Sequence, residues 1–268
     1  MKHLKTILEA SILGDIDDNI ANMDNDIKSA IKEWINKSYT IHNGDIEISD
    51  KPNSAGKYEV SSNAEIISLR SQIDSITNGM FVWSTVDGDF YCEGSRIKSL
   101  EGCPRRLESG NFLCDRCTLL TSLEGAPEYV GGSFVCSWCG KLKNLKGSPK
   151  YVGYEYDCKG CGNLKSLEGC TKTVVDFYCI DCVNLLSLKH CPTKVLRNLD
   201  CAGCINLLNF DCAKTTIKNN FNCSGCYSLK DLSNAPKSVG NAFIARRIAQ
   251  FTTYEFEDCT KIGGKVFT

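Results

Sequence analysis

Apolar positions recur along this chain with a period of about 22 residues, and that recurrence says more about its elements than any single segment does. An aromatic or leucine column runs Phe90, Phe112, Phe134, Tyr156, Phe177, Leu199, Phe221 and Phe243. Two residues after each stands Cys92, Cys114, Cys136, Cys158, Cys179, Cys201 or Cys223, with Ala245 in the last unit. Three further on come Ser95, Cys117, Cys139, Cys161, Cys182, Cys204 and Cys226, then Ile248. Paired leucines such as Leu120/Leu123 and Leu142/Leu145 follow, then a proline column, and an aliphatic column from Leu107 to Val239 closes the unit.

The consensus is F-x-C-x-x-C-x-x-L-x-x-L-x-G-x-P-x-x-V-G-G-x. Alternation across F-x-C predicts a short strand with both named side chains facing inward. Leucines three apart, with no longer helical pattern, predict a tight or 3₁₀-like turn. Pro and Gly then impose an extended return and a corner. One such coil cannot bury its own apolar face, so coils must stack on their neighbours. The expected fold is mainly β: a solenoid of about eight coils over residues 90–250 with parallel strands.

These columns resemble the leucine-rich-repeat pattern L-x-x-L-x-L-x-x-N/C-x-L. Phe112 and Cys114 take the inward strand positions, Cys117 the Asn/Cys position, and Leu120 and Leu123 follow. The resemblance covers about residues 90–254 and is nearest to short-repeat proteins carried by bacteria and tailed phages. Aromatic and Cys residues replace the strand leucines, and the short return argues against convex helices. The resemblance implies that the third-column side chain bonds the backbone of the following turn, and that the concave sheet face binds partners.

Flanking segments read as caps. Residues 1–38 form an N-terminal helical segment, with helical spacing over 1–13 and again over 24–37, where Asp24 or Asn25 would cap the second helix. The stretch 7–15 is either part of this cap or a detachable docking tag. Residues 39–89 form a β cap with strands expected at 39–42, 45–49, 57–61, 64–68 and 81–86, continuing the sheet. Residues 251–268 close the other end through a capping box at Thr252–Glu255 and a final strand over 262–267.

Composition changes this picture at the cysteines. The 268 residues include 18 cysteines against three histidines. Repeated C-x₂-C pairs 18 residues apart invite a zinc-ribbon reading, and disulfides within each pair are a second alternative. Against zinc, the gap follows from coil length, and Ala245 and Ile248 occupy the same columns in the last unit. The favoured reading is a structural ladder of buried thiols, with no metal and no cofactor: Cys114, Cys117, Cys136, Cys139, Cys158, Cys161, Cys179, Cys182, Cys201, Cys204, Cys223 and Cys226. Cys103, Cys170 and Cys191 read as small-residue packing, and Cys212 falls in the Gly column.

No catalytic group stands out, so the chain is read as a non-enzyme. His3, His42 and His190 are scattered, and no phosphate-loop, nucleophile-elbow or zinc-protease motif is present. No secretory leader is evident and no apolar run reaches the ~18 residues of a membrane span, so the expected setting is a reducing cytosol or a virion, without a membrane. The net charge of −1 conceals asymmetry: residues 1–89 carry 8 basic and 15 acidic side chains, residues 90–250 carry 21 and 14. Nucleic acid is disfavoured because the lysines are spread over several columns.

The remaining candidate is a protein-binding face. The outward strand column is Tyr91, Leu113, Val135, Asp157, Tyr178, Asp200, Asn222 and Ile244, with Ile180 beside it and Trp138 at a strand exit. Tyr91, Leu113, Val135, Trp138, Tyr178 and Ile180 are the contact candidates for a protein partner. The competing functions are a structural or virion-associated component and a zinc-supported nucleic-acid binder.

Overall fold

Stacking short strands edge to edge satisfies their backbone groups between coils, and a computed structural model shows this carried through about nine turns of a mainly β, parallel-strand solenoid. The structure describes residues 16–69, 73–77, 79–248 and 250–268. Eleven strands make one continuous sheet. Its N-terminal edge, Tyr39–His42, is antiparallel to Glu65–Ser68. From there the sheet is parallel through Phe90–Tyr91 and each repeat strand to Val266–Phe267.

Parallel in-register stacking brings each column into a continuous row inside the coil. Phe90, Phe112 and Phe134 stack with centroids 5.7 and 5.6 Å apart and planes within 7° of parallel. Tyr156 interrupts the row with a tilt of 47°, and its buried hydroxyl lies 2.7 Å from Ser148 Oγ. The leucine segments are hydrogen-bonded turns: Leu120 N donates to Cys117 O at 3.0 Å and Ala126 N to Leu123 O at 2.9 Å. These i→i+3 bonds are the tight turns expected of leucines three apart.

The return strands form two sheets, not one. A six-stranded sheet runs from Ile46–Ile48 to Tyr151–Val152, and a five-stranded sheet from Thr173–Val174 to Lys261–Ile262. The break falls where the corner is one residue shorter: Val175 and Asp176 alone join Val174 to Phe177. In the neighbouring coil, Gly153, Tyr154 and Glu155 make the same connection. Gly153 fits its corner because a Cβ there would lie 2.0 Å from Gly131 O.

The caps differ in detail from the sequence reading. Helix α1 spans Ile16–Ser38, so Asp24 and Asn25 both lie inside it and neither caps it; the Asp24 carboxylate accepts a hydrogen bond from the Tyr58 hydroxyl. The expected helix over 1–13 and the candidate tag over 7–15 lie outside the described residues. Ile31 and Ile35 of α1 are buried against the first coils. Helix α2, Thr253–Cys259, opens with the expected capping box between Thr252 and Glu255. The single strand expected over 262–267 is instead two, Lys261–Ile262 and Val266–Phe267, which extend the five-stranded and eleven-stranded sheets.

Candidate functional site

The interior is the most regular part of the molecule. None of the 18 cysteines is in a disulfide, and the twelve of the two strand columns from Cys114 to Cys226 are fully buried. Each third-column thiol donates to the carbonyl of the second-column cysteine in the preceding coil. Cys117 bonds Cys92 O, Cys139 bonds Cys114 O and Cys161 bonds Cys136 O, each at 3.2 Å. Cys182, Cys204 and Cys226 continue the series to Cys158 O, Cys179 O and Cys201 O at 3.2, 3.1 and 3.3 Å. The bond therefore runs back one coil, not into the following turn. Strand exit bends the chain at this carbonyl, where no ladder amide meets it, and the thiol supplies a donor, joined at Cys92 O and Cys201 O by the amides of Ser95 and Cys204 at 3.4 and 3.3 Å.

Burial governs the chemistry of these thiols. Desolvation holds the Cys114, Cys136, Cys139, Cys161, Cys201 and Cys223 thiols well above the usual range. Contact with the third-column partner, joined by burial, does the same for Cys92, Cys158 and Cys179. Held in this way they are protonated packing groups at neutral pH. Among the described residues no three His, Cys, Asp or Glu side chains gather as a metal site.

A smaller row of thiols lies at the turn before the return strand. Cys212 belongs with Cys103, Cys170 and Cys191, not with the Gly column, because Asp211 takes the left-handed position at φ 47°. Cys191 Sγ lies 3.2 Å from Thr215 Oγ1. Its hydrogen bond with Cys212 holds its thiol below the usual range.

Outside the sheet, in-register pairing places Tyr91, Leu113, Val135, Asp157, Tyr178, Asp200, Asn222 and Ile244 in one row. Tyr91, Leu113, Val135, Tyr178 and Ile180 are half-buried. The Tyr91 hydroxyl donates to Asp89 Oδ2 at 2.7 Å. Asp157, expected to face solvent, is only 2% exposed and lies 2.8 Å from Lys159 Nζ. This ion pair divides the row into an apolar Leu113–Val135 stretch and a Tyr178 stretch. Ser137 is also buried, its hydroxyl 3.4 Å from Asp157 O.

Trp138 stands out from this row. It sits at the strand exit in the left-handed region at φ 59°, yet its side chain is 48% exposed. The indole covers Gly160 of the next coil so closely that a Cβ there would lie 2.3 Å from the ring. Gly94, Gly160, Gly203 and Gly225 occupy the same column with positive φ, and Arg116, Asp181 and Arg247 share it with Trp138. Sequence reasoning had the signal for this column in its four glycines and did not use it.

Two further side-chain ladders escaped the sequence reading. Asp89 Oδ1 accepts from Asn111 N at 2.6 Å, and Asn111 Oδ1 from Ser133 N at 2.7 Å. Later in the same column, Asp176 Oδ1 accepts from Asn198 N at 3.0 Å, and Asn198 Oδ1 from Asn220 N at 3.3 Å. Asp176 is fully buried and also pairs with Arg197. Near the leucine turn, Asn184 Nδ2 donates to Gly162 O at 2.6 Å and Asn206 Nδ2 to Val183 O at 2.8 Å. Among the described residues no helix is long and apolar enough to cross a membrane. No family model, curated protein or solved structure matches the chain.

Proposed function

We propose that this chain is a non-enzymatic module of the leucine-rich-repeat type, which binds a protein partner through the outward face of its eleven-stranded sheet. Tyr91, Leu113, Val135, Trp138, Tyr178 and Ile180 are the contacts. The observation that carries this reading is Trp138. A non-glycine residue in the left-handed region costs on the order of 1–2 kcal/mol, and among Arg116, Trp138, Asp181 and Arg247, which share this position, Trp138 is the large aromatic and is 48% exposed. Large aromatic side chains held in this way are the usual anchors of protein contacts. Kinship with short bacterial and phage repeats is supported by the 22-residue unit and by the thiol at the Asn/Cys position. Eighteen unpaired thiols favour a reducing cytosol or a particle assembled in one.

The test is photo-crosslinking in native lysate, with p-benzoylphenylalanine placed at Leu113 and, separately, at Thr173 on the return sheet. A discrete protein adduct from the Leu113 probe alone is the expected result. Trp138→Gly in that background removes the adduct while the thermal midpoint holds or rises. An adduct that persists in Trp138→Gly,Tyr178→Ala, or forms equally from Thr173, overturns the assignment.

A further inference from the structure

The two return sheets are built on the same coil but treat charge in opposite ways. In the six-stranded sheet the basic side chains have local counter-ions. Arg105 and Lys150 reach Glu128 at 3.2 and 2.7 Å, and Arg106 reaches Glu108 at 2.9 Å. In the five-stranded sheet the return segments 172–175, 193–197, 214–219, 237–241 and 261–264 contain no Asp or Glu. They carry Lys172, Lys194, Lys214, Lys218, Lys237 and Lys261, all exposed. Among the described residues none of these six forms an ion pair, whereas Arg197 is taken up by Asp176.

Lysines spread over several columns of the chain are gathered by the topology on one face. The outward register runs Thr173, Lys194, Thr216, Ser238, Lys261, so two ammonium groups stand among three hydroxyls. Coils about 4.8 Å apart make this a flat basic lattice roughly 20 Å long. Such a lattice raises the local concentration of polyanions.

We infer that the five-stranded return sheet docks the sugar-phosphate backbone of a nucleic-acid duplex, independently of the protein-binding face. Three features select this partner. Lysine and Ser/Thr hydroxyls are the usual partners of phosphate oxygens and carry no base information. These five return segments hold no Phe, Tyr or Trp, so the stacking platform that single strands need is missing. Leu196 is the large apolar side chain standing exposed among them, too little to insert into a bilayer interface.

The test is fluorescence anisotropy of labelled DNA and RNA duplexes of about 30 base pairs with the full chain, from about 50 to 200 mM salt. Six phosphate contacts predict a slope of log affinity against log salt near −5, about a thousandfold loss over that range. Lys194→Gln,Lys237→Gln,Lys261→Gln is expected to weaken binding about tenfold or more and to flatten the slope by about 3. Thr216→Lys, which adds a charge in the same register, is expected to steepen it by about 1. The matched triple Lys141→Gln,Lys143→Gln,Lys165→Gln, away from this sheet, leaves binding within about twofold. Equal loss from both triples overturns the site. Tighter binding to a single strand, or binding to phosphatidylcholine vesicles with about 30% phosphatidylserine in place of the duplex, overturns the choice of partner.

Discussion

Raising the pH is the perturbation to which this interior is most sensitive. Ten thiols of the two strand columns and their N-terminal neighbour have raised values in the folded chain: Cys92, Cys114, Cys136, Cys139, Cys158, Cys161, Cys179, Cys201, Cys204 and Cys223. In the unfolded chain they titrate near pH ~8.5. A raised folded value means that the unfolded state binds fewer protons above that pH. The stabilisation is therefore complete below pH ~8.5 and is lost as pH climbs towards the folded values. Ten such groups remove about 8 kcal/mol by pH ~9 and about 14 kcal/mol by pH ~9.5. Total stabilities of domains are of that order. Cooperative unfolding is expected between about pH 9 and 10.5, read by far-ultraviolet circular dichroism under reducing conditions. Thiolate absorbance should rise in the same step. Thiolate absorbance that rises while the fold persists, or a fold that survives above pH ~10.5, refutes the reasoning.

The ladder also predicts opposite orders for serine and alanine at Cys161 and Cys136. In Cys161, which donates to Cys136 O at 3.2 Å, serine keeps the bond, whereas alanine leaves a buried carbonyl bare at about 1–3 kcal/mol. Cys136 Sγ donates no such bond, unlike Cys158, Cys201 and Cys223 in the same column, so alanine is the milder change there; urea unfolding of the four variants checks the crossed order. Gly153→Ala pushes a Cβ to 2.0 Å from Gly131 O and is expected to cost about 2–4 kcal/mol. Gly140→Ala meets nothing within 4 Å and is expected to be neutral or to stabilise by up to about 1 kcal/mol, both read from thermal midpoints.

Most of the solenoid was legible because every inward column is a packing requirement repeated in each coil. Where Ala245 and Ile248 replace cysteines, the interior tolerates them, since the columns demand volume before chemistry. What the sequence hid depends on backbone conformation and on neighbours 20 or more residues away. The split of the return sheet follows from one missing residue before Phe177, a deletion that column alignment absorbs silently. Asp157 faces outward by register yet is buried and paired with Lys159, which alternation alone cannot foresee. Asp24 looked like a helix cap because capping residues are judged by type, whereas here the helix had already begun at Ile16. The basic lattice of the return sheet was scattered in sequence and coherent only in three dimensions.

Native mass spectrometry after a brief maleimide pulse reaches the root of the account. The result expected is a metal-free chain of 29.6 kDa with adducts confined to Cys170 and Cys259, the two half-buried cysteines where the other sixteen are buried. Zinc bound at one ion for every two coils, or adducts on the strand-column thiols before unfolding, would contradict it.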